Sequence, residues 1–392
     1  MRILLVTPLL PHPGAPSAGA LVMYGQLRTL TRRHRVTLAT FFDPATESQA
    51  LEGLRREGLE VHGVPRGGWR GIDRWRRRLR LTTAWAKGSL PLRTLRYQEP
   101  AMQLLLDRLL ASEPFDLVQV EDNAMAAYRL PAGLPAMLTE YEVRAAADGS
   151  RDERRWGPYQ AAVWGRFDRV QVFTARDAAA AAAISPQVAD RLRVNPFGVD
   201  LPPEGDPERE EPGSVAFVGG FLHPPNVDAA LWLGREIFPL LRARLPRARL
   251  TIDGDRPPSA VRALQGGGIE VTGRVPAVEP YLERAAVVLA PLRSGGGMRL
   301  KVLQAMAAGK AVVASPLAAE GIAAPGGEPA LALAVTAQDF ASRAAALLER
   351  PAERRALGHR ARETVAAHHG WTSYGQRREA VYAELLASAG VA

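Results

Sequence analysis

The stretch that decides the fold is "VVLAPLRSGGGMRLKVLQAMAAGKAVVAS", residues 287–315. Its first apolar run predicts a buried strand, the segment from Arg299 predicts a short amphipathic helix, and AVVAS predicts the next strand. Three glycines at 295–297 let the backbone approach a ligand closely, and the helix start offers free N–H groups and the positive end of its dipole. Arg299 lies in the expected first turn, where a cation opposes that dipole, and Lys301 follows it. The pattern therefore favours a bound phosphate over a solvated basic loop.

The same alternation of strand and helix patterns runs through both halves of the chain. Strand patterns lie at 2–7, 35–41, 115–120, 136–141 and 168–174 in the first half, and at 214–220, 248–254, 269–273, 287–292 and 311–315 in the second. Strands that alternate with helices are typical of parallel sheets with crossover helices. The sequence therefore predicts an α/β chain with two Rossmann-like, doubly wound parallel-sheet domains.

Residues 195–214 are rich in proline, glycine and acid, which is the composition of a linker. We place the domain boundary near Gly198, so that the domains are residues 1–198 and 199–370. Residues 371–392 have the pattern of an amphipathic helix, and one place for it is back on the first domain. Open α/β sheets bind ligands at the carboxyl ends of their strands, so two facing sheets predict a site in a cleft between the domains.

Composition narrows the class of protein and its location. The chain has 392 residues, 47% of them hydrophobic and 23% charged, which is typical of a two-domain globular protein. It has no cysteine, which excludes disulfides, thiolate metal sites and a cysteine nucleophile. The N-terminus looks like a signal peptide, but Pro8 and Pro11 interrupt its apolar run and a buried first strand is favoured. With no apolar stretch long enough to span a bilayer, we expect a cytoplasmic protein, soluble or peripheral at the inner membrane face, and a monomer or weak dimer.

Several nucleotide and catalytic motifs are missing from the sequence. The segment AAGKAVV lacks the first glycine and the hydroxyl of a P-loop, and no Gly-x-Gly-x-x-Gly turn follows the first strand. Neither a Gly-x-Ser-x-Gly elbow nor a spaced histidine cluster is present. Asp253-Gly254-Asp255 resembles paired metal-binding aspartates, but at a strand end a polar turn is the favoured interpretation. A P-loop ATPase, a dinucleotide oxidoreductase and a metal-dependent enzyme are therefore disfavoured.

Three segments carry a resemblance to a known family: "SVAFVGGFLHPPNVDAALWLGREIFPLL", "IEVTGRVPAVEPYLERAAVVLAPLRSGGGMRLKVLQAMAAGKAVVAS" and "NPFGVD". In their order and spacing along the chain they resemble the C-terminal domain of family 4 glycosyltransferases of the GT-B fold, in a variant with a G-x-R-x-K motif. The resemblance covers nearly the whole second half and is looser in the first. It implies a retaining, metal-independent transfer of a sugar from a nucleotide-diphosphate donor, without a cofactor.

The resemblance also implies roles for particular residues. The donor diphosphate would contact Arg299, Lys301, Gly297, Gly220 and, from the first domain, Gly19. Arg274 and Val275 would lie beside the nucleotide base. Fixed cations and N–H groups aimed at the departing diphosphate would stabilise the charge that develops there.

The sequence departs from the family at several of its acidic positions. Relatives often carry two glutamates separated by seven residues, the first near the donor sugar and the second on the ribose, and here these positions are Gly296 and Gln304. Gln304 can still hydrogen-bond ribose hydroxyls, whereas Gly296 offers the sugar no side chain. Glu320 matches a family glutamate and is the other donor-sugar candidate. Tyr141 stands where many relatives have a histidine near the acceptor, so Tyr141 and the adjacent Glu140 are the catalytic candidates.

Residues 66–96 form a second basic feature, with ten basic residues against one acidic residue and with Trp69, Trp75 and Trp85 among them. This stretch is compatible with docking on an anionic membrane or a phosphorylated acceptor, and equally with a solvated helix whose tryptophans pack inward. No nucleic-acid-binding fold accompanies it, so nucleic acid is not an expected partner. The expected acceptor is a lipid-linked or polysaccharide precursor. The alternatives are a nucleotide-sugar epimerase on the same scaffold and an inactive protein that binds a sugar nucleotide or a membrane surface.

Overall fold

The computed structural model describes residues 1–66, 71–144, 150–203, 209–275, 277–296, 299–322 and 330–388, with the side chains of 71–74 left out. The chain divides into two compact units, one formed by Met1–Pro196 together with Tyr374–Ala392 and the other by Phe197–Ser373. The chain therefore leaves the first unit two residues before Gly198 and returns to it near its end.

The first unit is built on a parallel sheet. Its strands in the described residues are β1 Arg2–Thr7, β2 Arg35–Phe42, β3 Glu60–Pro65, β4 Leu117–Glu121, β5 Ala136–Thr139, β6 Arg169–Val172 and β7 Leu192–Val194. Their spatial order is β3-β2-β1-β4-β5-β6-β7, and every pair is parallel. Both faces of such a sheet are covered, which is why β1 is buried from Ile3 to Thr7.

Helices pack on both faces of this sheet. The helices of the first unit are α1 Ala18–Thr31, α2 Ser48–Arg56, α3 Gly71–Lys87, α4 Leu92–Tyr97, α5 Pro100–Ser112, α6 Glu153–Trp164 and α7 Ala175–Ile184. Alternate residues of β1 face opposite sides, so Leu4 and Val6 join the apolar cluster that includes α5, while Ile3 and Leu5 join the one that includes α1. The sheet thus separates two apolar cores.

The second unit repeats the design with a smaller parallel sheet. Its strands in the described residues are β8 Ser214–Val218, β9 Arg249–Asp253, β10 Ile269–Gly273, β11 Val287–Ala290, β12 Ala311–Ala314 and β13 Ala332–Leu333. Their order is β10-β9-β8-β11-β12-β13. The helices are α8 Pro224–Trp232, α9 Phe238–Arg244, α10 Ser259–Arg262, α11 Glu279–Arg284, α12 Leu300–Ala307, α13 Ala337–Glu349 and α14 Pro351–His368. The predicted fold class, two doubly wound parallel sheets, is confirmed.

The last helix, α15 Trp371–Ser388, packs on the first unit from Tyr374 onward. Val381, Tyr382 and Leu385 lie in the apolar cluster of α1 and β2. Polar contacts reinforce this packing, because the Tyr382 hydroxyl donates to Gln119 of β4 and the Gln171 amide of β6 donates to the Tyr374 hydroxyl over 3.2 Å. The C-terminal helix is therefore part of the first unit's core.

In the described residues, the helices are each too short or too polar to cross a lipid bilayer.

Close packing of α14 fixes the end of α12. A Cβ at Gly358, in the middle of α14, would overlap the carbonyl oxygen of Gly309, the residue that follows the end of α12 with a φ of 70°. Glycine at 358 is therefore required for α14 to approach the turn between α12 and β12.

We predict that Gly358→Ala destabilises the chain by about 1–3 kcal/mol, because the added methyl forces α14 away from this turn. Gly157→Ala is the matched control, since Gly157 lies inside α6 with open space where a Cβ would be and alanine is the better helix former. The melting temperature should fall for the first variant and stay or rise for the second. A melting temperature for Gly358→Ala equal to that of the wild type would contradict the packing described.

Candidate functional site

The strand order of the second sheet creates a topological switch point between β8 and β11. The two strands are neighbours, but the chain after β8 crosses towards β9 and the chain after β11 crosses towards β12. In open α/β sheets a ligand binds outside the carboxyl ends of the strands at such a point. The topology therefore predicts a ligand site at the loop after β8 and the loop leading to α12.

The loop after β8 is packed tightly against the end of β9. A Cβ at Gly254 would overlap the carbonyl oxygen of Gly219, and a Cβ at Gly219 would lie 3.0 Å from the Lys301 ammonium nitrogen. Gly220 is exposed, with nothing within 4 Å of where its Cβ would be. The two packed glycines thus bring Lys301 onto the backbone of this loop, and Gly220 leaves the loop open to a ligand.

Lys301 is held by Asn226, a residue that the sequence interpretation did not select. The Lys301 ammonium donates to Asn226 Oδ1, and Asn226 Nδ2 donates to the Gly220 carbonyl oxygen over 2.8 Å. The ammonium also lies 5.1 Å from the centre of the Phe217 ring. Asn226 is 7% exposed in the first turn of α8. The only sequence signal was an amide at the start of a helix that follows a glycine pair.

Arg299 occupies the N-cap position of α12 and not its first turn as expected, because the helix begins at Leu300. Its guanidinium donates to the carbonyl oxygen of Gly296, and Arg299 as a residue is 7% exposed. Gly295, with a φ of 104°, turns the loop so that a Cβ there would lie 3.3 Å from Arg299 Nη2 and 3.2 Å from Pro225 Cγ. Gly220, Gly296, Arg299 and Lys301 therefore come together. Gly297 lies outside the described residues.

The electrostatics of the pair favour an anion. Burial and, secondarily, the charge of Arg299 lower the pKa of Lys301 to about 7. In the described residues the hydrogen-bond partner of Lys301 is a neutral amide and not a carboxylate. A phosphate beside the two cations would restore the charge of Lys301, since an opposite charge nearby favours the charged form.

The other lysine of the opening stretch has a structural role. Lys310 donates to Glu210 over 3.1 Å and to the Glu283 carbonyl oxygen over 2.9 Å, and Glu210 also pairs with Arg354 at 3.0 Å. These contacts attach the segment before β8 to the turn between α12 and β12 and to α14. Lys310 is therefore apart from the cation pair.

The remaining candidate residues of the second unit lie around the carboxyl edge of the second sheet. Gln304 is partly buried one turn after Lys301 on α12, and exposed Arg274 and partly buried Val275 follow β10. Glu320 is partly exposed in the turn after β12. Because β9 and β8 lie between β10 and β11, a ligand that touches both Arg274 and Lys301 would cross three strand intervals, about 14 Å.

Asp253 is a buried acid at the same edge. It ends β9, is 2% exposed, and its Oδ1 accepts a hydrogen bond of 3.0 Å from the Thr272 hydroxyl. Burial raises the pKa of Asp253 to about 6, and the bond from Thr272 opposes that shift. The described residues contain no group of three or more side chains that could hold a metal ion, so Asp253 and Asp255 belong to no such group.

In the first unit, the catalytic candidates follow β5. Glu140 is 2% exposed and accepts hydrogen bonds from Asn123 Nδ2 at 2.9 Å and from Trp164 Nε1 at 3.0 Å. Burial, with a smaller effect of Asp122, raises the pKa of Glu140 to about 8. The half-buried Tyr141 donates its hydroxyl to Glu121 Oε2 over 2.8 Å, and burial raises its pKa. Glu140 is thus an internal group, whereas Tyr141 reaches the edge of the sheet.

Two more first-unit residues lie at the carboxyl edge of that sheet. Gly19 is in the first turn of α1, capped by Ser17, with open space where a Cβ would be. Asp122 follows β4 with a φ of 74°, which is unusual for a residue other than glycine, and its carboxylate pairs with Arg93. The sequence interpretation missed Asp122 and Arg93, since no linear pattern marks a strained aspartate after a strand.

Comparison with known proteins assigns the class. Residues 212–350 match the family described as Glycosyl transferases group 1. This segment holds the switch point and both cations. Most of the second unit is therefore a group 1 glycosyltransferase domain.

Solved structures match the whole chain in fold. Sucrose-phosphate synthase from Thermosynechococcus elongatus has 17% identity and a TM-score of 0.71, with 99% of this chain and 100% of that chain covered. HepE from Anabaena, in complex with UDP and glucose, has 15% identity and a TM-score of 0.68, with 99% and 100% covered. TarM from S. aureus has 10% identity and a TM-score of 0.72, with 97% and 98% covered. The fold is GT-B. No curated protein sequence matches the chain.

We predict that Asn226→Asp weakens UDP binding by about tenfold or more, because a carboxylate of nearly the same shape would pair with Lys301 and repel the diphosphate. Lys87→Ala, a change of an exposed lysine in the first unit, is the control and should bind as the wild type does. Isothermal titration calorimetry gives both affinities. Unchanged affinity in Asn226→Asp would show that the diphosphate does not lie beside Lys301.

The affinity for UDP should fall as the pH rises above about 7, because Lys301 with its lowered pKa must take up a proton to bind the anion. The affinity should fall by at most about tenfold for each pH unit, since one proton is involved. In Lys301→Arg, which stays charged, this part of the pH dependence should disappear, while the ionisation of UDP itself affects both proteins equally. Parallel curves for the two proteins between about pH 6 and pH 9 would contradict the role of Lys301.

Proposed function

We propose that the chain transfers a sugar, with retention of anomeric configuration and without a metal ion, from a nucleoside-diphosphate donor bound by the second unit to an acceptor bound by the first. The observation that supports this proposal is the pair of cations, buried Arg299 and partly buried Lys301, at the switch point of a group 1 glycosyltransferase domain. UDP is the first nucleotide to test, because the HepE structure contains it.

The cation pair suits the leaving group of this reaction. When the bond between the anomeric carbon and the diphosphate breaks, negative charge grows on the phosphate oxygen that leaves. Two fixed cations, set by Asn226 and by the Gly296 carbonyl, stabilise that charge more than they stabilise the intact donor. They would thereby supply the positive charge that a divalent metal supplies elsewhere, with Gly220 giving backbone contact to the phosphates.

On the acceptor side, Tyr141 is the candidate for direct contact. Its hydroxyl donates to Glu121 and also lies 3.1 Å from the side-chain amide of Gln26, and the half-buried side chain reaches the edge of the sheet, where an acceptor hydroxyl would contact it. Buried Glu140 holds Asn123 and Trp164 in place and acts as a positioning residue. Gly19, at the start of α1, remains a candidate for backbone contact with the donor diphosphate, and Gly296 or Glu320 would lie near the donor sugar.

We expect hydrolysis or transfer from UDP-glucose, GDP-mannose or another common sugar nucleotide by the wild type, and a loss of about a hundredfold or more in kcat/KM for Lys301→Ala with Lys87→Ala unaffected. Nuclear magnetic resonance of the product gives the anomeric configuration. An inverted product would contradict the retaining mechanism. A changed donor sugar without an acceptor would identify an epimerase, and tight binding without any turnover would identify an inactive binding protein.

The proposed acceptor is a lipid-linked or polysaccharide precursor, and the exposed face of α3 supports a membrane partner. Trp75 is 64% exposed and Leu79, four residues on and so on the same face, is 49% exposed. Arg76 and Arg78 beside them are exposed as well. Apolar side chains ringed by cations suit the interface of an anionic bilayer.

The three tryptophans of residues 66–96 differ in their surroundings. Trp85 donates its Nε1–H to Asp152 over 2.7 Å, and its ring lies 4.8 Å from the Arg155 guanidinium carbon. Trp85 is therefore a packing residue, Trp75 is available to a membrane, and Trp69 lies outside the described residues.

We predict that wild-type chain floats with vesicles of phosphatidylcholine mixed with phosphatidylglycerol and not with phosphatidylcholine alone. The double variant Trp75→Ser/Leu79→Ser should lose at least about tenfold in partitioning, since full burial of each side chain stabilises by about 1.5–3 kcal/mol. Leu104→Ser on α5, where Leu104 is 68% exposed, is the control for any exposed apolar residue. If the double variant and the wild type float equally well, α3 is not the surface that docks on the membrane.

A further inference from the structure

The carboxyl end of β9 carries a buried acid that the diphosphate contacts leave unused. Asp253 is 2% exposed, and its Oδ1 accepts a hydrogen bond from the Thr272 hydroxyl. Within the described residues, the other carboxylate oxygen, Oδ2, is buried without a hydrogen-bond donor. A buried carboxylate oxygen without a donor is costly, so a polar group that reaches it stabilises the protein.

The end of β9, which carries this acid, is bordered by glycine backbone at the edge of the sheet. The Gly219 amide donates to the Asp253 carbonyl oxygen over 2.8 Å, and Gly254 follows directly. Neither glycine has a side chain, and Gly220, Gly254 and Thr272 are exposed or partly exposed. A ligand that rests on this edge can therefore approach the end of β9 without meeting a side chain of either glycine.

The acid and the cation pair are separated by a distance that suits one ligand. Gly219 bonds to Asp253 on one side, and its α-carbon faces the Lys301 ammonium on the other. In the order β9-β8-β11, the carboxyl ends of β9 and β11 are two strand intervals apart, about 10 Å. A nucleoside diphosphate whose phosphates lie at Lys301 would place its ribose near the end of β9.

Asp253 occupies the same place in the sheet topology as the ribose-binding acid of other doubly wound nucleotide-binding folds. The order β10-β9-β8-β11 is the 3-2-1-4 order of doubly wound nucleotide-binding sheets. In that fold the first βα turn holds the phosphates, and an acidic residue further along the βαβ unit accepts hydrogen bonds from the ribose hydroxyls. Here the loop after β8 is the first turn, and Asp253 is the acidic residue at the end of the second strand of that unit.

We propose that the Asp253 carboxylate binds the ribose 2′- and 3′-hydroxyls of the donor nucleotide, with Thr272 fixing its orientation. The inference rests on the proposed function and assigns the ribose contact of that same site. Gln304 on α12 offers one neutral acceptor oxygen, whereas Asp253 offers a charged one that is already oriented. The segment 253–255 is thereby a ligand contact and not merely a polar turn.

The test compares ribonucleotides with 2′-deoxynucleotides in calorimetric titrations of the full chain. The probes are UDP and 2′-deoxy-UDP, GDP and 2′-deoxy-GDP, and inorganic pyrophosphate. The proteins are the wild type, Asp253→Asn and, as the matched control, Asp255→Asn, whose carboxylate pairs with exposed Arg256 at 3.4 Å. The wild type should bind the ribonucleotide about tenfold or more tightly than its 2′-deoxy form, which is the effect of one charge-assisted hydrogen bond.

In Asp253→Asn this ratio should fall to near one while the affinity for pyrophosphate stays unchanged, and Asp255→Asn should keep the ratio. A ratio that persists in Asp253→Asn would overturn the proposal. If the affinities for the ribonucleotide and the 2′-deoxynucleotide then fall by the same factor, Asp253 contacts the base and not the ribose. Equal affinities of the wild type for the ribonucleotide and its 2′-deoxy form would also overturn the proposal. Failure of the proposed function looks different, because a wild type that neither transfers nor hydrolyses a sugar nucleotide can still show this ratio and its loss in Asp253→Asn. A wild type that binds none of the four nucleotides would overturn the ribose assignment.

Discussion

The contact between Lys301 and Asn226 over the backbone of Gly219 is the constraint on which the donor side of this protein depends. It requires glycine at 219 and 254, so that β8, β9 and α12 can approach one another. It also leaves a partly buried ammonium next to Arg299, with a pKa lowered to about 7 and an amide as its partner. Folding thereby holds two like charges together at the place where an anionic ligand relieves their repulsion, and binding specificity follows from that arrangement.

Much of the fold was predictable because its signals are local. The apolar runs of β1, β2, β8, β9 and β11 stand between turn residues, and their alternation with helices predicted two parallel sheets. The region between β2 and β4 was not resolved from sequence, since β3 and α2 there are short and mixed in character. The strand order, which sets the switch point, was also beyond any linear pattern, because it depends on which strands pair across the sheet.

Part of the candidate site was likewise predictable from the sequence, and part was not. Glycines followed by Arg299 and Lys301 at a helix start predicted an anion site, although Arg299 proved to be the cap and not a residue of the first turn. The role of Asn226 and the role proposed for Asp253 could not be predicted in this way, because they depend on contacts between segments 75 and 19 residues apart. In the first unit, the burial of Glu140 and the bond of Tyr141 to Glu121 separate two adjacent candidates that the sequence left equal.

The central claim is that the phosphates of the donor lie on Lys301 and Arg299 at the switch point of the second sheet. The most direct measurement is a crystal structure of the chain with UDP bound. The account predicts β-phosphate oxygens within hydrogen-bond distance of Lys301 Nζ and the Arg299 guanidinium. A diphosphate bound away from both cations would contradict it.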